Sequence, residues 1–292
     1  MSAPGGNVGP APSYVLTLSC ADRIGIVADV SRFLVENACN ILESAQHGDP
    51  ENGRFFLRTV FESTEGRGLN TLTAGFAPVA AMYGMEARFF DAGVRTPTVI
   101  MVSRLGHCLN DLLFRWRIGA LPVEVKAVVS NHRDFEDLVG SAGLPFHWLP
   151  VTPATKQAQE GALETLLAGY GTELIVLARY MQILSPEFCA RQVGRIINIH
   201  HSFLPSFVGA RPYHRAHERG VKLIGATAHY VTEDLDEGPI IEQGVERVSH
   251  SLSVDDYVAV GRDVEALVLA RAVKWHAEHR VLLNGRRTVI FQ

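Results

Sequence analysis

Between Arg195 and His201 the chain reads RIINIHH, an apolar strand pattern that ends in polar side chains. Alternate side chains of a strand share one face, so Asn198 and His200 project the same way at its carboxyl end. An amide N–H can donate to an oxyanion developing on a carbonyl, and an imidazole exchanges a proton near neutral pH. The pair therefore suits carbonyl chemistry, although a polar strand end can also be simply solvated. A second segment joins it at Ala226–Ile241, ATAHYVTEDLDEGPII. Here a strand carrying His229 runs into an acidic loop (Glu233, Asp234, Asp236, Glu237) closed by Gly238-Pro239, and most of these carboxylates read as a solvated turn. His214 and His217 have a ligand-like spacing, but no cysteine accompanies the histidines of this half, and no metal centre is expected. The four cysteines, Cys20, Cys39, Cys108 and Cys189, are scattered in apolar surroundings without zinc-ligand or disulfide spacing, and read as buried free thiols.

Such side chains need a sheet to position them. Thr98–Ser103, Val123–Ser130 and Leu174–Ala178 are short apolar runs separated by helical stretches, the βαβ rhythm of a parallel sheet covered on both faces. Open sheets of this kind bind ligands beyond the carboxyl ends of the strands, near the switch in strand order. Val254–His279 is helical by pattern, with Val258, Val264, Leu267 and Ala270 as apolar positions, and Val281–Phe291 reads as a hairpin about Asn284-Gly285. Both are expected to complete the core or a subunit interface. The first 92 residues have a different order. After a Gly-, Pro- and Ala-rich tail (1–13), Tyr14–Cys20 reads as a strand, and the turn Asp22-Arg23-Ile24-Gly25 leads into a helix, with Asp22 placed to cap it. The apolar stripe of that helix is Val27, Val30, Phe33 and Leu34. Ile41–Gln46 and Phe55–Glu62 read as strands about the turn GDPENG, Leu69–Tyr83 as a helix, and Met85–Phe90 as a closing strand. The fold class expected is α/β: a ferredoxin-like βαββαβ domain over 14–92, a linker at 93–97, and an open, mostly parallel α/β domain over 98–292.

Composition restricts the partners. The 292 residues are 47% hydrophobic and 20% charged, with a net charge of −4, which is a globular composition without a basic nucleic-acid footprint. No apolar run reaches the ~18–20 residues of a transmembrane helix, and the N-terminus lacks the basic start and apolar stretch of a secretory signal. A cytoplasmic protein with small-molecule partners is expected, not one that binds nucleic acid or membrane.

Three segments resemble known families. LSCADRIGIVADVSRFLVENACNI is similar to the opening of an ACT domain, with an Asp-Arg-x-Gly turn before the first helix and Asn-Ile in the second strand. That resemblance implies a homo-oligomer and an amino-acid effector, with Asp22 and Gly25 as regulatory positions. NIHHSFLP followed by HYVTEDLDEGPII resembles the folate-dependent formyltransferases. The Asn-x-His of that family and the Asp of its LD-x-GP loop fall on Asn198, His200 and Asp236. LARYMQILSP (177–186) resembles the segment lining the pterin pocket, which implies Met181, Gln182, Leu184, Thr232, Glu233, Leu235 and Gly238 as substrate contacts. Gln182 departs from the pattern, standing where transferase relatives often carry Arg. The order of the two domains, with NIHHSFLPSFVGARPYHRAHERGVKLIGATAHYV matching almost continuously, resembles the formyltetrahydrofolate deformylase branch. It implies 10-formyltetrahydrofolate as substrate, no cofactor, release of formate and tetrahydrofolate, and a link to purine synthesis. Amine-accepting relatives hold a phosphate on backbone amides of a loop rich in Gly and Asn. The corresponding stretch here, Ser103–Asn110, keeps only Gly106, which leaves space for a water that Arg104 and His107 would order, if they do not merely start a helix. Formyl transfer to an unidentified amine, and a non-catalytic folate-binding sensor, are the alternatives.

Overall fold

The computed structural model describes residues 11–204 and 212–292, which divide into two compact units. The first comprises the chain up to Val94 together with Glu278–Leu282 and Val289–Gln292. Its elements are β1 (Ser13–Ala21), α1 (Ile26–Glu36), β2 (Cys39–Asp49), β3 (Arg54–Ser63), α2 (Leu69–Tyr83) and β4 (Glu86–Asp91). The sheet order is β2-β3-β1-β4 with antiparallel neighbours throughout. Leu16, Leu18, Leu34, Leu57, Phe61 and Phe76 lie in its core.

Two details differ from the sequence reading. Asp22 does not cap α1: the N-cap is Gly25 at φ 100, without a side-chain cap. A left-handed residue there starts the helix later, at Ile26, so the buried stripe is Ile26, Val30, Phe33 and Leu34, and Val27 is turned outward. Asp29 supplies the negative charge of the first turn and accepts from Tyr83 Oη at 2.6 Å. The C-terminal boundary also moves. Arg58, buried on β3, pairs with Glu43 at 2.7 Å and donates to the Glu278 carbonyl at 3.0 Å, so residues expected in the second domain complete the first unit.

The second unit, Arg95–Ala277 with Leu283–Thr288, contains a seven-stranded sheet. In chain order its elements are β5 (Thr96–Val102), α3 (His107–Arg117), β6 (Val123–Ser130), α4 (Glu136–Ser141), β7 (Phe146–Trp148) and α5 (Lys156–Gly169). They continue with β8 (Leu174–Leu177), α6 (Pro186–Arg191), β9 (Ile196–His200), α7 (Pro212–Glu218), β10 (Leu223–Tyr230), β11 (Ile240–Arg247) and α8 (Val254–Ala277). A two-stranded hairpin of β12 (Val281–Asn284) and β13 (Arg287–Ile290) ends the chain. The sheet order is β11-β10-β9-β8-β5-β6-β7. Five neighbouring strands, β9 to β7, run parallel, and β10 and β11 close the edge antiparallel. Because β5 has β6 on one side and β8 on the other, the order reverses there, and the strand ends beyond it form a natural ligand cleft. On α8, Val264 and Ala270 are buried as expected, but Leu267 is exposed and the neighbouring Glu265 is 1% exposed, for reasons found at the site. Among the described residues no helix is long and apolar enough to cross a membrane.

Candidate active site

The site forms where β9, β10 and the loop after β10 meet. Antiparallel pairing of β9 with β10 sets Asn198 directly opposite His229, and Asn198 Nδ2 lies 3.3 Å from His229 Nε2. His229 Nδ1 donates to the Tyr230 carbonyl at 2.9 Å, which fixes the plane of the ring. The following loop turns back sharply on the strand end. Tyr230 N donates to the Pro239 carbonyl at 2.9 Å, and a Cβ at Gly238 would collide with the Tyr230 carbonyl oxygen, so only glycine fits. Asp236 takes a left-handed backbone at φ 58, a cost that a non-glycine residue bears where the surroundings impose it, often at functional sites. The result is an aimed carboxylate: Asp236 Oδ2 is 3.2 Å from His200 Nδ1 and Oδ1 is 3.6 Å from His229 Nε2.

Electrostatics follow from these contacts. The hydrogen bond from His200, then the nearby His229 ring, holds the Asp236 carboxyl well below the usual carboxylate range, against the opposing push of burial. Asp236 is therefore a carboxylate throughout the working pH range. A carboxylate only accepts, so His200 Nδ1 must carry a proton, and neutral His200 presents a bare Nε2. That Nε2 is buried and has no hydrogen-bond partner among the described residues. Beside it, burial, then the charges of Arg179 and His200, pushes the His201 imidazole down to about 4, so His201 is neutral at pH 7.

These groups open on a cavity of about 420 Å³. Asn198, His200, His229 and Asp236 form its polar wall, and Leu177, Leu184 and Val231 form an apolar one. Of the expected substrate contacts, Met181, Gln182, Leu184, Thr232, Glu233 and Leu235 all line it, with Met181 and Leu235 largely exposed at its rim. Gly238 does not line it; its part is to let the loop close. Arg104 is exposed and outside the lining, and His107 is turned to Glu265 at 2.7 Å, so neither is brought to the cavity. Asp22 and Gly25 belong to the other unit, where Gly25 is required by its φ of 100 and by Tyr83 Oη, 2.8 Å from where its Cβ would stand.

Three residues were given no role at the site by the sequence. His229 had a signal: strand alternation in ATAHYV points it to one face, but only pairing with β9 shows which residue it meets. Arg179 lines the cavity from the residue pair after β8, and no periodicity marked it. Glu265 is a charge within the apolar stripe of α8. Its Oε2 takes His107 Nε2 at 2.7 Å and faces Arg179 Nε at 3.3 Å, and Oε1 accepts from Tyr213 Oη at 2.6 Å. Burial raises the Glu265 carboxyl, but His107, Arg179 and Tyr213 together outweigh it and leave the group below its ordinary value.

His107, Cys108 and Glu265 also offer ligand atoms within 4.8 Å of one another. Their chemistry does not suit a cation. Burial drives the Cys108 thiol far up, and Glu265 is already neutralised by donors that include a guanidinium. His217 of the ligand-like pair faces the Leu252 carbonyl at 3.1 Å, and His214 is exposed. All four cysteines are buried and free.

Residues 97–273 match the formyl transferase family. The chain is 50% identical over 280 residues to a formyltetrahydrofolate deformylase of Corynebacterium sp. (strain P-1), covering 96% of this chain and 98% of that protein. Among solved structures it is similar to a formyltetrahydrofolate deformylase from Burkholderia mallei ATCC 23344, with TM-score 0.93, 53% identity, and coverage of 96% of this chain and 100% of that one. A glycinamide ribonucleotide transformylase from Symbiobacterium toebii matches at TM-score 0.64 and 31% identity over 70% of this chain and 97% of its own.

Proposed function

The chain belongs to the formyltetrahydrofolate deformylases within the formyl transferase family, and from that premise we propose that it hydrolyses 10-formyltetrahydrofolate to formate and tetrahydrofolate. The observation that carries the chemistry is the Asp236–His200 pair, which leaves an unpartnered Nε2 beside Asn198 on a cavity of about 420 Å³. The folate enters along Met181–Leu184 and Thr232–Leu235, with its formyl carbon between Asn198 and His200. His200 Nε2 takes a proton from water as the water oxygen bonds to that carbon. The Asn198 amide N–H and the protonated His200 stabilise the oxyanion, and Asp236 stabilises the imidazolium. His200 then passes its proton to N10 as the carbon–nitrogen bond breaks.

Asp236 itself is too weak a base to accept the proton, so its part is to orient His200 and complement its charge. Hydrolysis is favoured over transfer to an amine because Arg179 lines the same cavity as His200, and because Ser103–Asn110 keeps only Gly106 for a phosphate cradle.

The first unit is read as an ACT-type module that binds an amino-acid effector and joins subunits into a homo-oligomer. Its βαββαβ order and β2-β3-β1-β4 sheet support that reading. A cytoplasmic place and a supply of formate to purine synthesis complete the proposal, which requires no cofactor. The test is formate release from 10-formyltetrahydrofolate in buffer without any amine. Turnover that appears only when an amine is added overturns hydrolysis in favour of transfer. Adding amino acids one at a time tests the effector, and a rate indifferent to all of them removes it.

A further inference from the structure

The hydrolytic steps above leave Arg179 without a chemical part. It lies two residues beyond β8, which pairs in parallel with β9 so that Leu177 lies against Asn198. Two residues further along each strand, Arg179 and His200 stand at the same carboxyl end of the sheet, and both line the cavity. The backbone of Arg179 is left-handed at φ 64, uncommon for any residue but glycine. It is held there by Ser103, whose N–H donates to the Arg179 carbonyl at 3.2 Å. The Ser103 hydroxyl in turn accepts from Met181 N at 2.9 Å and donates to Asn131 Oδ1 at 2.7 Å.

The side chain is 8% exposed. Its Nε is 3.3 Å from Glu265 Oε2 but out of line, so it has an ionic neighbour and no hydrogen-bond acceptor. The acceptor atoms of Glu265 are already engaged by His107 and Tyr213. The guanidinium is thus fixed by its backbone and balanced in charge, its Nε is a buried atom without a hydrogen-bond partner among the described residues, and the residue lines the cavity. Buried polar groups of this kind are ordinarily satisfied, and one left open on a cavity calls for a ligand.

The geometry points to a formate site: Arg179 receives the carboxylate made when water attacks the formyl carbon. This rests on the hydrolytic reading. In that reaction the water oxygen bonds to the formyl carbon, one water proton passes through His200 to N10 as the carbon–N10 bond breaks, the other is released to solvent, and the former formyl oxygen and the water oxygen become the two ends of formate. A guanidinium fork matches a carboxylate at two points, whereas transfer to an amine would make no carboxylate to bind. Arg179 is therefore a product-binding residue.

The experiment uses the full chain and sodium formate labelled with ¹³C, binding being read from the line width of the formate resonance, alongside product inhibition of folate turnover. Wild type is expected to bind formate in preference to chloride. Arg179→Met should weaken formate binding by about tenfold or more while inhibition by tetrahydrofolate is unchanged. Arg179→Lys, which keeps the charge and loses the fork, should fall between the two. Should Arg179→Met fail to fold, Glu265→Gln provides a second readout: removing the carboxylate that competes for the guanidinium should tighten formate binding. Formate binding unaffected by both substitutions, or displaced equally well by chloride, overturns the proposal. Because the line width needs no turnover, Arg179-dependent binding in a chain that releases no formate from folate would overturn hydrolysis and leave the anion site standing. Normal turnover with formate binding untouched by the substitutions would overturn the site alone.

Discussion

The second unit contains two carboxylate–histidine pairs that differ in nearly everything but residue type. Glu265 and His107 meet at 2.7 Å, and Glu265 is 1% exposed with Tyr213 and Arg179 about it. Asp236 and His200 meet at 3.2 Å, with the carboxylate partly exposed, and the far side of His200 has no partner. The first pair has its charge surrounded by donors and has little to offer a substrate. The second leaves one basic atom open beside a cavity. Function here is a matter of which atom the fold leaves unsatisfied, not of which residues are paired.

That contrast can be broken by mutation. His200→Ala removes the proposed general base and should lower kcat by about 10² to 10⁴ without loss of fold, as read by formate release and a thermal melt. A near-normal kcat would show that the open nitrogen is not the base. Glu265→Ala strands the buried Arg179 charge and should cost about 3–5 kcal/mol of stability, measured by denaturant unfolding. Asp236→Asn, in contrast, should lower the melt less than Glu265→Ala does and nearly abolish turnover while folate still binds. If the two substitutions changed places in these assays, the distinction between the pairs would fall. Asn198→Ala should reduce kcat by about 10² to 10³, the usual effect of losing one oxyanion donor.

The smallest effect expected is in acid. His279, stacked on Phe90 in the first unit, is pushed down to about 4 by burial, then by the Arg58 charge. The unfolded chain therefore binds this proton more readily, and stability must fall as pH drops from the ordinary 6.5 towards 4. Asp236 has the opposite shift in a different window: its contribution is intact above its ordinary 3.8 and is lost only in stronger acid. A thermal midpoint at pH 5 below that at pH 7, with the gap narrowed in His279→Phe, is the expected result. An unchanged gap would remove His279 from the account.

Much of the site was legible because its parts are local. Asn198 and His200 are separated by one strand period, and the LD-x-GP loop is legible through its resemblance to the formyltransferase motif, the structure adding that only glycine fits at Gly238. What was not legible depends on pairing between distant segments. Asp22 looked like a cap because its side chain is of the right type, but the left-handed Gly25 moved the start of the helix and turned Val27 outward. Leu267 looked like core, yet the phase of α8 buries Glu265, a choice that pays off only because His107, Tyr213 and Arg179 arrive from three other segments. Arg104 and His107 shared a loop with the expected acceptor site, but one faces solvent and the other faces Glu265.

The sequence by itself determined the order of elements, the two kinds of sheet, and the shared face of Asn198 and His200, because strand alternation and helix period act over a few residues, while Asp236 was marked by the family resemblance alone. Tertiary structure decided the rest: that His229 faces Asn198, that Asp236 turns to His200 Nδ1 and leaves Nε2 bare, and that Arg179 stands at the same wall. Those are matters of register between strands and of which donor reaches a buried acceptor first. They follow from closing the sheet, an event no local stretch of sequence contains.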